Sequence, residues 1–291
     1  MKVQASSSPA DALVYRGRYA PTPSGYLHIG HACTFRTARD RAIRAGGRIY
    51  MRMEDLDRNR CKPCFAEAAL EDMHWMGLRW DDDPRAADGI VRQSEQDALH
   101  RDALLRLIES GHVYPCEASR REIRQHPETG ASPLGEPVFP TALRDRAPVD
   151  KHLSRPFAVN WRFRVHDGKE TLFQDGRSGP HSYRAGVDFG DFLVWSKEGY
   201  ASYELAVVVD DIASAITEVV RGEDLLVSTA RQLQLFAALG SRPPAFYHCA
   251  LARDESGRRM AKSYDSESVR SHRERVWSVE ALWQRAKSFV P

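Results

Sequence analysis

His28 and His31 stand three residues apart around Gly30 in the stretch 19–32, YAPTPSGYLHIGHA, just after a Pro- and Gly-punctuated turn and at the start of an expected helix. Positions three apart share a helix face, so both imidazoles can serve one ligand, and Gly30 leaves the backbone open to a flat one. The unpaired N–H groups of a helix start add partial positive charge. Imidazoles, bare backbone and a helix N-terminus together suit the phosphates of a nucleotide. Near the other end of the chain, Arg258 to Ser263 follow Gly257 and a strand expected over 246–251. Basic residues such as Arg259 and Lys262 on a loop of that kind can swing onto a polyphosphate. Each signal is weak alone, and the two at opposite ends of one α/β unit strengthen each other.

These groups need a scaffold, and the pattern supplies one. A strand over 14–19 runs into the histidine turn, a helix over 29–45 ends at Gly46 and Gly47, and a strand over 48–53 carries Glu54 and Asp55 at its far end. Helices over 65–76 and 93–110 stop at Gly77 and Gly111. Strand, helix, strand, helix predicts an α/β fold with a parallel sheet and ligands at the carboxyl edge of its strands, where Glu54 falls. From 112 to 203 the pattern breaks. Prolines at 127, 133, 137, 140, 148 and 156 punctuate a polar stretch, and 159–165 alternates like a half-exposed strand, which reads as an inserted subdomain with a mobile arm over 125–156. The α/β pattern resumes with a strand over 205–209 ending in Asp210 and Asp211, a helix capped by Ser228 and closed at Gly240, and one or two short helices such as 276–289. The expected division is a loose tail over 1–13, a first half over 14–111, the insertion over 112–203, and a second half over 204–291.

Composition narrows the function classes. The chain has 291 residues, 42% of them hydrophobic, and 42 basic against 40 acidic side chains for a net charge of +2. It is no bulk polycation, so any nucleic-acid contact needs a local basic surface; Arg16, Arg18, Arg36, Arg39, Arg41 and Arg44 are one candidate, the last four reading by default as a solvated helix face. No apolar run is long enough to span a bilayer, and MKVQASSSPADA at the start has no apolar centre, so a cytoplasmic location is expected. Five cysteines fit reduced thiols better than a disulfide framework.

The stretch around His28 and His31 resembles the HIGH motif of class I aminoacyl-tRNA synthetases, and RMAKS at 259–263 resembles their KMSKS loop. RMEDLDRNR from Arg52, SYELAVVVDD from Ser202 and VVRGEDLLVSTARQLQLFAALG from Val219 resemble, in that order, the glutamyl and glutaminyl subgroup. The likeness runs over roughly 14 to 270 apart from 125–156. It implies a Rossmann-type catalytic domain with an inserted α+β subdomain like those that bind an acceptor stem. It further implies an ATP-dependent ligase that makes glutamyl-adenylate, with Mg²⁺ arriving on ATP rather than in a protein cage.

Carried residue by residue, the resemblance puts ATP on His28, Gly30, His31, Gly222, Glu223, Arg259 and Lys262, with His28, His31 and Lys262 stabilising the transition state. It puts L-glutamate on Arg18, Tyr19, Ala20, Pro21, Thr22, Glu54, Tyr203 and Arg221. That set has the charges a ligand with one ammonium and two carboxylates requires: Glu54 for the ammonium, and Arg18, Arg221 and Tyr203 for the carboxylates. Only 29 residues follow Lys262, where full-length members carry an anticodon-binding domain. That brevity resembles the glutamyl-queuosine branch, whose members attach glutamate to queuosine at the wobble position of tRNA(Asp). The alternatives are charging the 3′ end of tRNA(Glu), or tRNA binding without catalysis. No obligate protein partner is implied. Many members of that branch hold the insertion with zinc; here Cys116 stands alone, Ala118 replaces the second cysteine, and no zinc is expected. Cys61 and Cys64 form a CxxC without a second pair, which reads as coincidental spacing.

Overall fold

Buried strands rich in Ile, Met, Val and Tyr alternate with helices in both halves of the chain, and four of the helices close on a glycine at positive φ. The computed structural model describes residues 14–132, 135, 137–144, 146–251, 268–275 and 278–287. Arg16–Tyr19 (β1), Arg48–Met53 (β2) and Ile90–Arg92 (β3) form a parallel sheet in the order β1-β2-β3, with Tyr19 opposite Met51. Ile29–Arg44 (α1) links β1 to β2, and Pro63–Trp75 (α2) lies between β2 and β3. Asp97–Glu109 (α3) follows.

The next stretch changes character, as its prolines require. Val113–Pro115 (β4), Arg120–Gln125 (α4), Gly130–Ala131 (β5) and Pro137–Val138 (β6) are short, and only then come Trp161–Phe163 (β7), Glu170–Asp175 (β8), Gly179–Arg184 (β9), Phe192–Ser196 (β10) and Tyr200–Ala201 (β11). An antiparallel sheet in the order β11-β10-β7-β4 packs Trp161 and Trp195 into the largest core cluster. Within the Pro-rich stretch, Phe139 and Leu143 join Tyr114, Cys116 and Ile123 in a small core of their own, and Arg144 ties it to Asp191 with bonds of 2.6 and 2.7 Å.

The last part comprises Tyr203–Ala213 (α5), Glu218–Gly222 (β12), Leu226–Ala238 (α6), Ala245–Cys249 (β13), Val269–Glu274 (α7) and Val279–Lys287 (α8). Strands β12 and β13 are parallel, and β13 meets the hairpin β8–β9 through Phe246 and Asp175, so a hairpin from within the 112–203 span extends the sheet of the second half. At the join of the two halves, Thr217 N–H donates to Arg16 O at 2.9 Å and Arg18 Nη1 donates to Val220 O at 3.0 Å. Among the described residues, no helix is long and apolar enough to cross a membrane.

Most element boundaries follow the sequence signals. Gly46, Gly77, Gly111 and Gly240 all sit at φ between 59° and 74° just past α1, α2, α3 and α6. Two expectations require correction. Residues 205–209 are helical, within α5, rather than a strand. The β-branched run favours a strand, but Ser202 caps the helix start and the segment from Glu204 to Asp211 is buried on every side, so burial overrides propensity. Asp210 and Asp211 therefore end a helix. Ser228 does not cap α6, which begins two residues earlier; its hydroxyl lies inside the helix and donates to Glu204 at 2.9 Å. Past residue 267 the described residues form two short helices, α7 and α8, in line with the one or two expected there.

Candidate active site

The carboxyl ends of β1, β2, β12 and β13 and the N-termini of α1 and α5 enclose a cavity of ≈ 390 Å³. One wall comes from the first half: Arg18, Ala20, Thr22 and Glu54. A second is the start of α1: His28, Gly30 and His31. A third comes from the second half: Tyr203, Arg221 and Gly222. Helix α1 has no acidic residue in its first turn, so the positive end of its dipole reaches the cavity uncancelled. His28 is the N-cap, and its backbone N–H donates to Nδ1 of His31 at 3.1 Å, which draws the two rings into a stack with centroids 3.7 Å apart.

Behind the first wall lies a buried ionic network. Arg18 is 4% exposed, with Nε 3.5 Å from Asp211, and Arg52 pairs with Asp211 and, at 3.1 Å, with Glu54. Glu54 also accepts from Thr22 Oγ1 at 3.5 Å and its N–H donates to Pro21 O at 2.9 Å. Burial raises the Glu54 pKa, and Arg52 and Arg18 offset only part of that, so the carboxylate would gain from a cationic ligand. Asp210 accepts from Gln93 at 2.9 Å and faces His100 at 3.3 Å. Two acids at a helix C-terminus oppose its dipole, and their place is explained by the cations and donors they hold. Asp211→Ala would leave two buried guanidinium groups without their shared carboxylate, a loss of ~3–5 kcal/mol. It is expected to lower the midpoint of denaturant unfolding correspondingly.

Arg221, 5% exposed, is held differently. Its Nε meets His248 Nε2 at 3.3 Å, Nη1 donates to Gln232 Oε1 at 2.8 Å, and Nη2 donates to Thr229 Oγ1 at 2.7 Å. Among the described residues it forms no ion pair with a carboxylate, so its charge is left for a ligand. Tyr203 is 37% exposed at the first turn of α5.

Ten of the residues singled out in the sequence thus meet on one cavity. Tyr19 and Pro21 do not line it: Tyr19 is buried against Phe35, with ring centroids 5.6 Å apart, and Pro21 contributes its carbonyl to Glu54. Glu223 points elsewhere, pairing with Arg177 and accepting from Leu251 N–H at 3.3 Å, while its neighbour Asp224 lines the cavity. A Cβ on Gly222 would stand 2.4 Å from Asp224 Oδ1, so glycine is what lets that carboxylate in. Arg259 and Lys262 lie outside the described residues. The chain is described again from Ser268, which bridges His28, and Val269 N–H donates to Leu27 O at 2.7 Å. Cys116 is buried in the small apolar core, Cys61 Sγ approaches Glu54 O at 3.7 Å, and Cys64 is exposed. Among the described residues, no group of three or more His, Cys, Asp or Glu is arranged to hold a metal ion.

Sequence reasoning missed Thr34 and Phe35 on the cavity wall, although helical spacing from His31 places them there. It missed Arg52, which shares a face of β2 with Glu54 by the two-residue period of a strand. His248, Thr229 and Gln232 carried no local signal, since only the pairing of β12 with β13 and α6 brings them to Arg221.

Two buried groups set opposing pH responses. Burial, then Arg221, lowers the His248 pKa from 6.5 to about 4. Protons taken up by the unfolded chain alone therefore make stability fall as pH drops through that window. Asp72, on α2, is raised by burial from 3.8 to about 6 despite Arg270 and Arg273 on α7, so its stability contribution grows as pH drops through its own window. Asp72→Asn removes the second response, and the thermal midpoint is expected to fall more steeply from pH 6 to 4 in the variant than in the parent.

The chain matches the family model described as tRNA synthetases class I (E and Q), catalytic domain, over residues 15–282. It is 40% identical over 271 residues to the glutamyl-Q tRNA(Asp) synthetase of Symbiobacterium thermophilum, covering 91% of this chain and 83% of that protein. It is 34% identical to the glutamate–tRNA ligase of Aquifex aeolicus, covering 91% of this chain but 55% of that one. A crystal structure of a glutamate tRNA ligase from Elizabethkingia meningosepticum, in complex with its amino acid, superposes with a TM-score of 0.74 at 26% identity, over 87% of this chain and 52% of that chain. The chain thus spans about half the length of the glutamate–tRNA ligases it matches. With its α/β halves, its inserted antiparallel sheet and its His28–His31 helix start, the chain belongs to the class I tRNA synthetases of the E and Q type, ATP-dependent ligases whose catalytic domain it contains.

Proposed function

We propose that the protein activates L-glutamate with ATP and transfers it to the queuosine base at the anticodon wobble position of tRNA(Asp). The observation that carries the first step is the meeting of Arg18, Glu54, Tyr203 and Arg221 with His28, Gly30 and His31 on one cavity. Glu54 takes the ammonium of glutamate, and Arg18, Arg221 and Tyr203 orient its carboxylates. The α-carboxylate attacks the α-phosphate of Mg²⁺-bound ATP, pyrophosphate leaves, and the acyl group then passes to queuosine as AMP departs. The protein's work is positioning and electrostatic stabilisation. His28, His31 and the N-terminus of α1 stabilise the phosphate charge that develops, Gly222 and Asp224 approach the ribose, and Arg259 and Lys262 neutralise the leaving phosphates. An arginine with only neutral partners favours the carboxylate of glutamate over the amide of glutamine.

The choice of acceptor is supported by the likeness to a protein named for tRNA(Asp), which is closer in identity and extends over more of that relative than the likeness to the glutamate–tRNA ligases. The test is to incubate the protein with ATP, labelled glutamate and, separately, tRNA(Asp) with queuosine, tRNA(Asp) without it, and tRNA(Glu). Label on the first alone is expected. Label on tRNA(Glu) alone would assign the chain to charging the 3′ end, and absence of glutamyl-adenylate would leave a tRNA-binding role without catalysis.

A further inference from the structure

One buried pair, Asp175 and His248, lies behind the cavity and takes no part in the chemistry above. Both side chains are fully enclosed. His248 sits on β13 directly opposite Arg221 of β12, and Asp175 ends β8, at the turn of the β8–β9 hairpin. Asp175 Oδ2 accepts from the His248 backbone N–H at 2.9 Å and from Nδ1 at 2.7 Å. Its Oδ1 accepts from the N–H groups of Arg177 and Ser178 and from the Ser178 hydroxyl at 2.9–3.0 Å. Burial would raise the Asp175 pKa, but these bonds hold it at about 2, so the group is an acceptor only.

An ionised carboxylate fixes the proton of His248 on Nδ1 and leaves the lone pair on Nε2. Nε2 in turn faces Arg221 Nε at 3.3 Å and Thr229 Oγ1 at 2.9 Å. A guanidinium can only donate, so the tautomer that Asp175 selects is the one Arg221 needs. With Gln232 on Nη1, and Thr229 and, at 3.5 Å, Leu225 O on Nη2, four of the five N–H groups of Arg221 have partners, leaving one on Nη1 for a ligand. Every partner is neutral. A carboxylate in place of His248 would orient the guanidinium equally well, but it would compete with an anionic ligand for its charge.

We propose that Asp175 and His248 are positioning residues for Arg221: the hairpin carboxylate sets the imidazole tautomer, and the imidazole aims the guanidinium at the substrate carboxylate without neutralising it. The inference rests on reading Arg221 as a glutamate ligand. It joins the β8–β9 hairpin to glutamate recognition, although the hairpin does not line the cavity.

The test is ATP–pyrophosphate exchange, with KM for glutamate and for ATP measured separately. His248→Leu, which removes the acceptor but keeps an apolar filler, is expected to raise KM for glutamate roughly tenfold while KM for ATP stays within about twofold. His248→Gln, which can return an oxygen near the place of Nε2, is expected to recover most of that loss. An unchanged KM for glutamate in His248→Leu, or equal rises in both constants, would overturn the relay. If His248→Leu does not fold, Asp175→Asn takes its place, with a rise of about threefold in KM for glutamate alone expected and no rise overturning the proposal. Arg221→Leu, measured alongside, separates the two readings. If it leaves KM for glutamate unchanged, the ligand role of Arg221 fails; if it raises KM while His248→Leu does not, only the relay fails.

Discussion

Arg221→Leu is expected to raise KM for glutamate by roughly 100-fold or more and to leave KM for ATP within a few-fold. Truncating one partner of a buried, hydrogen-bonded charge pair costs about 2–5 kcal/mol, and 1.4 kcal/mol is about tenfold. The size of the effect follows from how Arg221 is held. Its bonded partners in the protein, His248, Gln232, Thr229 and Leu225 O, are all neutral, so a ligand carboxylate would be the first counter-charge bonded directly to it. Arg18 differs in this respect, since Asp211 already lies 3.5 Å from it. The same contrast predicts specificity. The parent should discriminate glutamate from glutamine strongly, and the leucine variant should lose glutamate activity until the two substrates are treated nearly alike. Arg221→Lys, which keeps the charge but not the planar fork, should fall between. Discrimination that survives in Arg221→Leu would place side-chain recognition elsewhere, with Arg18 the remaining arginine on the cavity among the described residues.

The ease with which the site could be read from the sequence depends on how locally each part is encoded. The helix start at His28, strand β2 leading into Glu54, and the glycine stops after α1, α2, α3 and α6 are properties of a few neighbouring residues, and the structure has them close to where sequence patterning puts them. Segment 205–209 was misread because its composition, Leu-Ala-Val-Val-Val, is that of a buried strand. Only the burial of α5 between the other elements makes a helix of it, and the one local clue was Ser202 followed by Tyr203 and Glu204. The supporting residues were less legible still. Asp211 reaches Arg52 across 159 positions and His248 reaches Asp175 across 73, distances over which no periodicity operates. Side chains facing the ligand sit in motifs of their own, whereas the side chains that orient them are recruited by topology. A chain read alone therefore reveals its ligand groups before it reveals what aims them.

Placing His31 in the transition state rather than the ground state leads to the other large effect. His31→Ala is expected to lower kcat for glutamyl-adenylate formation by about 10²–10³ while moving KM for glutamate only a few-fold, the pattern of a donor that acts on developing charge. The hydrogen bond from His28 N–H occupies Nδ1, so the neutral ring carries its proton on Nε2, the atom that would donate to a phosphate oxygen. His31 also has a structural task, because its acceptor closes the first turn of α1, and alanine removes that as well. His31→Gln separates the two. A glutamine three residues past the N-cap can reach back to the N-cap N–H, so this variant is expected to melt close to the parent while its kcat stays as low as that of the alanine variant. Recovery of kcat along with the melting temperature would mean that His31 serves only to hold His28 and the helix start in place, and the charge stabilisation would then fall to His28 and the backbone N–H groups of α1.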